Sequence, residues 1–503
     1  MGLTSRRTAP PRASKQHDDG VGRAPTVRDV HVQLRDASAT RLMHTRRMRA
    51  LQLKALGRML VEGEQELLDA LAADLGKPAV EAHLTEIDLV KHEVDFALLH
   101  LSEWMEAHHA KIPMLLQPAS AKTEPQPKGA ILIIGAWNYP VQVLLGPLVG
   151  ALAAGNVAAL KPSELAPATS AAIARLVPRY LDRRAVQVLE GGADVSAELL
   201  GLEWDHICFT GSQRVGRIVA EAAAKHLTPV TLELGGKCPA VVLDGNLHAA
   251  GRRIAHGKIL NAGQTCTAPD YVLAVGQGME KLPEVIHRAF VRFFGRDASA
   301  SRDYGRIVNR KAFDRLVGFI EDAEIDRSVR VIGGGYDAET LYIEPTILVG
   351  VDPEAAVMQE EIFGPILPIL TVASLDEAMR FINARPSPLA AYLFSERPRP
   401  HSVFEDQVRA GAIAFNVCNM HAAVSTLPFG GVGASGMGNY HGRYGFDTFS
   451  QLRPVFSKTA LVDTLKIAYP PYRKGKTRVV RSVNLGSAGR QDVDVKPGDK
   501  PGM

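Results

Sequence analysis

The sequence predicts an α/β protein built on parallel sheets, and three observations carry that expectation. Short β-rich runs at residues 131–134 and 157–161 flank an apolar helical stretch at about 141–153. A strand, a covering helix and a second strand of this length form a βαβ unit, which implies parallel pairing. After Leu232-Glu233-Leu234-Gly235-Gly236 the alternation begins again at residues 240–243 and continues to about 417, so the double glycine reads as a hinge between two domains. The third observation is size: 503 residues, 46% of them hydrophobic, suffice for two or three cores.

Along the chain, residues 1–25 hold five Lys/Arg against two Asp, and residues 470–503 hold eight against three. These tails supply +8 of charge and leave the body at −4, although the whole chain is only +4. Their Pro, Gly, Ser and polar content reads as disorder, with solvation favoured over a nucleic-acid or membrane-surface contact. From about residue 41 to 75, Leu53, Leu56, Leu60, Leu67, Leu71 and Leu75 recur near helical spacing, predicting two amphipathic helices laid across a sheet. Residues 117–128 are rich in proline and mixed charge, and read as a hairpin or a bridge to another subunit. Gly155 is expected to cap the 141–153 helix. Further strands are expected at 186–189 and 206–209, the latter followed by Gly211 and Ser212 and a helix through residue 224. This half has the texture of a nucleotide-binding domain.

Several function classes drop out. No run of about 18 apolar residues predicts a membrane helix, and the N-terminus lacks the apolar core of a secretory signal, so a cytoplasmic protein without nucleic-acid partners is expected. Cys208, Cys238, Cys266 and Cys418 lie far apart, indicating neither a disulfide scaffold nor a zinc site. The neighbouring His108 and His109, and His421 near Cys418, have no metal-ligand spacing.

The chemistry centres on NAGQTCTAPDY, residues 261–271. A free cysteine is commonly a small packed hydrophobe, but Cys266 lies among small, polar and turn-forming residues. Gly263 permits close backbone approach, and residues 265–268 are expected to aim backbone N–H groups at the sulfur, lowering its pKa and holding an oxyanion. A cysteine attacking a carbonyl needs an oxyanion donor and a base for water. Asn138 in AWNYP and Glu233 in LELGG supply these types at strand ends, though each alone also reads as a structural turn or a solvated acid. Lys161 and Glu164, in LKPSE, lie beyond another strand, where an acid can accept from ribose hydroxyls. No GxGxxG fingerprint follows any strand.

WNYP, LKPSE, FTGS, LELGGK, GQTC, EEIFGP and LPFGGVGASGMG occur in that order, and across about residues 30–470 the chain resembles the aldehyde dehydrogenase superfamily. Its ending resembles the class 3 branch, and YPPY at 469–472 is similar to bacterial coniferyl aldehyde dehydrogenases. The resemblance implies two Rossmann-like parallel-sheet domains with a small bridging, oligomerising element. It divides the chain into a tail at 1–27, an NAD(P)-binding domain at 28–234 with 117–128 in the bridge, a catalytic domain at 235–418, a C-terminal return at 419–470 and a tail at 471–503. It assigns Cys266 as nucleophile, Asn138 and the Cys266 N–H as oxyanion donors, and Glu233 as base. Lys161 and Glu164 would meet the adenosine ribose, Gly211, Ser212 and Gly216 the pyrophosphate, and Glu361 and Phe363 the nicotinamide riboside.

The implied reaction is NAD-dependent oxidation of an aldehyde, with NADP tolerated, passing through a thiohemiacetal and a thioester. Coniferaldehyde or another aromatic aldehyde is the expected substrate. A medium-chain or fatty aldehyde is the alternative, and a non-redox esterase or a non-catalytic relative follows. Tyr139 would line the channel, with Cys418, Asn419 and His421 as further wall candidates. Class 3 relatives are dimers, so a homodimer is expected. Vertebrate fatty aldehyde members carry a C-terminal membrane helix, whereas this tail is polar, so no anchoring is expected. Ala136 replaces the proline that many relatives have before Trp-Asn, which affects loop rigidity alone.

Overall fold

The first helix, Val27–Ala39, begins inside the segment expected to be tail, because Thr26 closes a reciprocal cap with Asp29. This computed structural model describes residues 26–113, 116–276, 279–472 and 475–476. Apart from their inner ends, the two basic tails lie outside the described residues.

Two sheets of parallel character organise the chain. The first has the order 436–437, Val230–Leu234, His206–Gly211, Ala130–Ile134, Val157–Lys161, Val186–Val188, all parallel except the short Gly436–Met437 strand at its edge. From the central Ala130–Ile134 strand the chain builds outward on one side to Val186–Val188, then crosses over to His206–Gly211 on the other. That reversal opens a crevice beyond the carboxyl ends of the two central strands, the usual ligand position in such sheets. Asn138 follows one of these strands and Ser212 the other.

The second sheet has the order Arg330–Ile332, Thr346–Val349, Ile366–Val372, Tyr271–Val275, Pro239–Val242, Ala390–Phe394, Ala412–Phe415, with only the first strand antiparallel. Each sheet has its own apolar core. In the third sheet, Ala119–Pro127 pairs antiparallel with Ser450–Lys458 over nine positions, and His108–His109 joins its other edge.

Gln142–Ala154 is apolar and buried from Val143 through Ala154, so it needs cover on every side. Arg46–Glu62 supplies part of that cover through Leu53, Leu56 and Leu60. The leucine-rich helices expected to lie across a sheet therefore form a layer further out, with Glu64–Leu75 resting on Pro167–Tyr180. Gly155, at φ 91°, terminates Gln142–Ala154 as the sequence predicts.

The double glycine stands between Val230–Leu234 of the first sheet and Pro239–Val242 of the second, and it also has a local cause. A Cβ on Gly235 would collide with the Glu361 carboxylate, so glycine here admits a side chain from the second domain. Among the described residues no helix is long and apolar enough to cross a membrane, and no cluster of three potential metal ligands occurs.

Candidate active site

The cysteine loop begins with backbone that most sequences avoid. Asn261 and Ala262 have φ of 52° and 51°, and Gly263 has 79°. At Gly263 a Cβ would run into the carbonyl of Gly364, which explains the glycine in NAGQTC. The loop is pinned at Gln264, whose Nε2 donates to the carbonyls of Asn261 and Arg306 while its Oε1 accepts from Val308 N at 2.9 Å. These anchors hold Cys266 with its sulfur beside its own backbone N–H and that of Thr267.

The expected low thiol pKa is corrected by the structure. Burial, together with the acids Glu361 and Glu233, outweighs the two backbone donors and pushes the Cys266 thiol up to about 12. In this arrangement the thiol holds its proton at neutral pH, and a base has work to do.

Asn138 is 4% exposed, and its Nδ2 donates to Gln264 O at 3.1 Å. A carboxamide has two N–H bonds, which leaves one for a ligand in the cavity. Glu233 lies at the end of its strand, 2% exposed, and neither carboxyl oxygen has a protein partner. Burial raises its pKa well above the ordinary range. Thr210 on the neighbouring strand also presents an unpartnered hydroxyl, while the Tyr440 hydroxyl on the C-terminal return meets the Gln142 side chain.

Glu361 and Phe363 come from the loop before Ile366–Val372. Phe363 has φ 50° and packs edge-on to Trp137 with centroids 5.3 Å apart. The Glu361 carboxyl, pushed up to about 8 by burial and Asp270, receives the Gly236 N–H. Residues not singled out in the sequence fix this loop. Lys237 pairs with Asp270 and donates to the carbonyls of Val357 and Glu360, while Asp270 accepts from Ile362 N at 3.0 Å. Their signal was the lysine of LELGGK and the aspartate of APDY, both inside quoted motifs. A second lysine, Lys258, is buried without a partner and its pKa is lowered to about 8 by burial.

Cys266, Asn138, Glu233, Glu361, Phe363, Tyr139, Gly211 and Ser212 line one cavity of about 320 Å³. The Tyr139 hydroxyl is bound to Thr265 Oγ1 at 2.5 Å, and both residues line the cavity. Of the three other wall candidates only Asn419 lines it. Cys418 packs behind it against Gly257, and the His421 ring sits between Tyr392 and Phe429. Leu84, Leu89, Val143, Met420 and Phe429 form an apolar wall that motif reading missed, because 84 and 89 come from the outer helical layer.

Lys161 and Glu164 lie apart from this cavity, at the end of Val157–Lys161. Lys161 Nζ is 3.0 Å from Glu164 Oε2, and Glu164 remains exposed. Ser212 caps Gln213–Ala224 through Val215 N. Gly216, in the first turn of that helix, packs closely on the sheet, since a Cβ there would strike Leu234. A helix N-terminus, a strand-end acid and lysine, and the buried Glu361 carboxylate against Gly235 together match the diphosphate and ribose hydroxyls of a dinucleotide.

The aldehyde dehydrogenase family pattern matches residues 26–455. Rat aldehyde dehydrogenase family 3 member A2 is 47% identical over 432 residues, covering 86% of this chain and 88% of the relative. The dog "aldehyde dehydrogenase, dimeric NADP-preferring" is 44% identical, covering 86% and 94%. Among solved structures, the substrate-bound state of Staphylococcus aureus AldH superposes with a TM-score of 0.88 at 41% identity, covering 91% of this chain and 99% of that one. A Pseudomonas syringae indole-3-acetaldehyde dehydrogenase in complex with NAD+ and IAA gives a TM-score of 0.79 at 25% identity, covering 86% and 89%.

Proposed function

The chain belongs to the aldehyde dehydrogenase family, and from that premise we propose that it oxidises an apolar aldehyde to its carboxylic acid through a covalent bond to Cys266. The observation that carries the reading is the convergence of Cys266, Asn138 and Glu233 on one cavity.

Glu233 in its carboxylate form takes the Cys266 thiol proton and passes it to solvent, and as the sulfur bonds to the carbonyl carbon the carbonyl electron pair moves onto oxygen. The free Asn138 N–H and the Cys266 backbone N–H hold that oxygen. The chemistry that a bound nicotinamide dinucleotide would supply here is acceptance of hydride from the same carbon. The carbonyl then re-forms as a thioester on Cys266. Glu233 takes a proton from water as the water oxygen attacks, the C–S bond breaks and the acid departs. Glu361, Ser212, Gly211, Lys161 and Glu164 would hold the dinucleotide. The exposed Glu164 disfavours a 2′-phosphate and Lys161 offsets it, so NAD is preferred and NADP accepted.

The wall of Leu84, Leu89, Val143 and Met420 supports a medium-chain or fatty aldehyde. Coniferaldehyde is the second reading, favoured by the rings of Phe429 and Tyr139 and by Thr85 and Gln142 as polar partners within the same lining. Initial rates of NADH formation with hexanal and decanal against coniferaldehyde and benzaldehyde, at matched low concentrations, decide between them. A large advantage for coniferaldehyde reverses the order, and no turnover with any of the four overturns the proposal. The edge of the third sheet is proposed to join two copies in a homodimer, which a monomeric mass by light scattering would contradict.

A further inference from the structure

Lys77 and Glu86 form an ion pair at 2.5 Å with both side chains wholly enclosed. Removing two charges from water is expensive, and a buried pair is weak evidence for stability, so what the pair holds matters more. Lys77 Nζ also donates to the carbonyl of Asn138 at 3.1 Å and stands 4.1 Å over the Tyr139 ring. Glu86 Oε2 accepts from Val141 N at 2.9 Å and Gln142 N at 3.1 Å. These are main-chain donors at the start of Gln142–Ala154, a helix with no side-chain cap of its own. The pair thus grips the segment 138–142 at three main-chain points.

The opposite side of that segment is fastened to the cysteine loop. Asn261 Nδ2 donates to Asn138 O at 2.8 Å, Asn138 Nδ2 to Gln264 O, and the hydroxyls of Tyr139 and Thr265 meet. Glu81, on the helical turn between Lys77 and Glu86, accepts from Asn261 N at 2.6 Å. Glu86 itself lies in the π-helical turn His83–Ile87, an irregularity common at functional sites.

We propose that Lys77 and Glu86 are positioning residues, setting where the Asn138 carboxamide stands relative to the Cys266 sulfur. The inference rests on the oxyanion role proposed for Asn138. Neither residue lines the cavity, so both act through Asn138. Displacing a catalytic group by about 1 Å costs about a hundredfold in rate.

The test compares kcat, KM and thermal unfolding for N138A, for the apolar replacement K77M/E86L, and for the two combined. The apolar pair is expected to fold with a lowered unfolding temperature, because matched hydrophobic side chains commonly replace an ion pair but here leave the Val141 and Gln142 N–H groups without their acceptor. Its kcat is expected to fall about tenfold or more with KM within about threefold, and to add little in the N138A background. An unchanged kcat, or an equal further loss in that background, overturns the inference while leaving Asn138 in place. If N138A itself keeps its kcat, the oxyanion role fails first and the inference with it. Should the apolar pair not fold, E86Q replaces it: the amide retains an acceptor oxygen, and the same non-additive loss of kcat is expected. Wild-type kcat in E86Q overturns the inference.

Discussion

The two walls of the cavity are built on opposite plans. On the Asn138 wall the side-chain amide and the carbonyl of Asn138, the Tyr139 hydroxyl and the Gln264 carboxamide are all engaged within the protein. Facing it, Glu233 and Thr210 carry buried polar atoms without protein partners, and behind that lining His421 and His441, stacked on Phe429, do so as well. The C-terminal return that carries both histidines pairs with this wall, Gly436 against Glu233. An oxyanion donor works best when it does not move, since no reorganisation is then needed as charge develops. A base must exchange protons with water, and an acid saturated with internal donors would be locked as a carboxylate of low basicity.

The largest expected effect tests the sulfur that both walls serve. C266A should abolish dehydrogenase and esterase activity together while unfolding at the wild-type temperature; measurable turnover in that variant removes the covalent route. E233Q should slow thioester hydrolysis by about 10²–10⁴. A stopped-flow burst of NADH followed by slow turnover is its signature, and a steady rate without a burst would assign water activation elsewhere. N138A should lower kcat by about 10²–10³.

Stability separates the walls more sharply. N138A strips packed donors and should cost about 1–3 kcal/mol, whereas E233Q loses no protein hydrogen bond and should be near neutral. Equal losses in denaturant titrations would erase the distinction drawn between them.

The unpartnered wall should also carry the pH dependence. With the Cys266 thiol near 12, Glu361 near 8 and Glu233 raised, the reactive forms appear as protons leave, so kcat/KM should climb from pH 7 to 9.5. A flat profile over that range would break the assignment. The smallest effect is on folding. Burial pulls His421 and His441 down to about 4, below their unfolded value near 6.5. Their contribution is present above pH 6.5 and is lost as pH falls toward 4, so the unfolding temperature should decline through that window. H441N should flatten the decline.

The walls differed in legibility too. Strand 157–161 and the Gly155 cap were readable because a buried parallel strand and a left-handed helix end have local sequence causes. Asn138, Glu233, Cys266 and Glu361 were each visible in motifs, and the structure places them around one cavity. The sign of the thiol shift was not readable, because it is set first by burial under distant segments and then by the acids 95 residues after and 33 before Cys266. The packing of Gly216 on Leu234 was not readable either, because the two are brought together only by the fold. Leu84, Thr85 and Glu86 escaped notice because a helix of mixed polarity has no local mark saying which face meets a cavity.

The nine-position pairing of Ala119–Pro127 with Ser450–Lys458 sets a schedule for synthesis. When the first of these strands leaves the ribosome, its partner has yet to be translated. At about 5–20 residues per second the wait is roughly 15–65 s. Through that interval the nascent chain exposes an open strand edge, and the first sheet still lacks its Gly436–Met437 border. Completion of the N-terminal half therefore waits on residues 436–458, made more than 300 residues later.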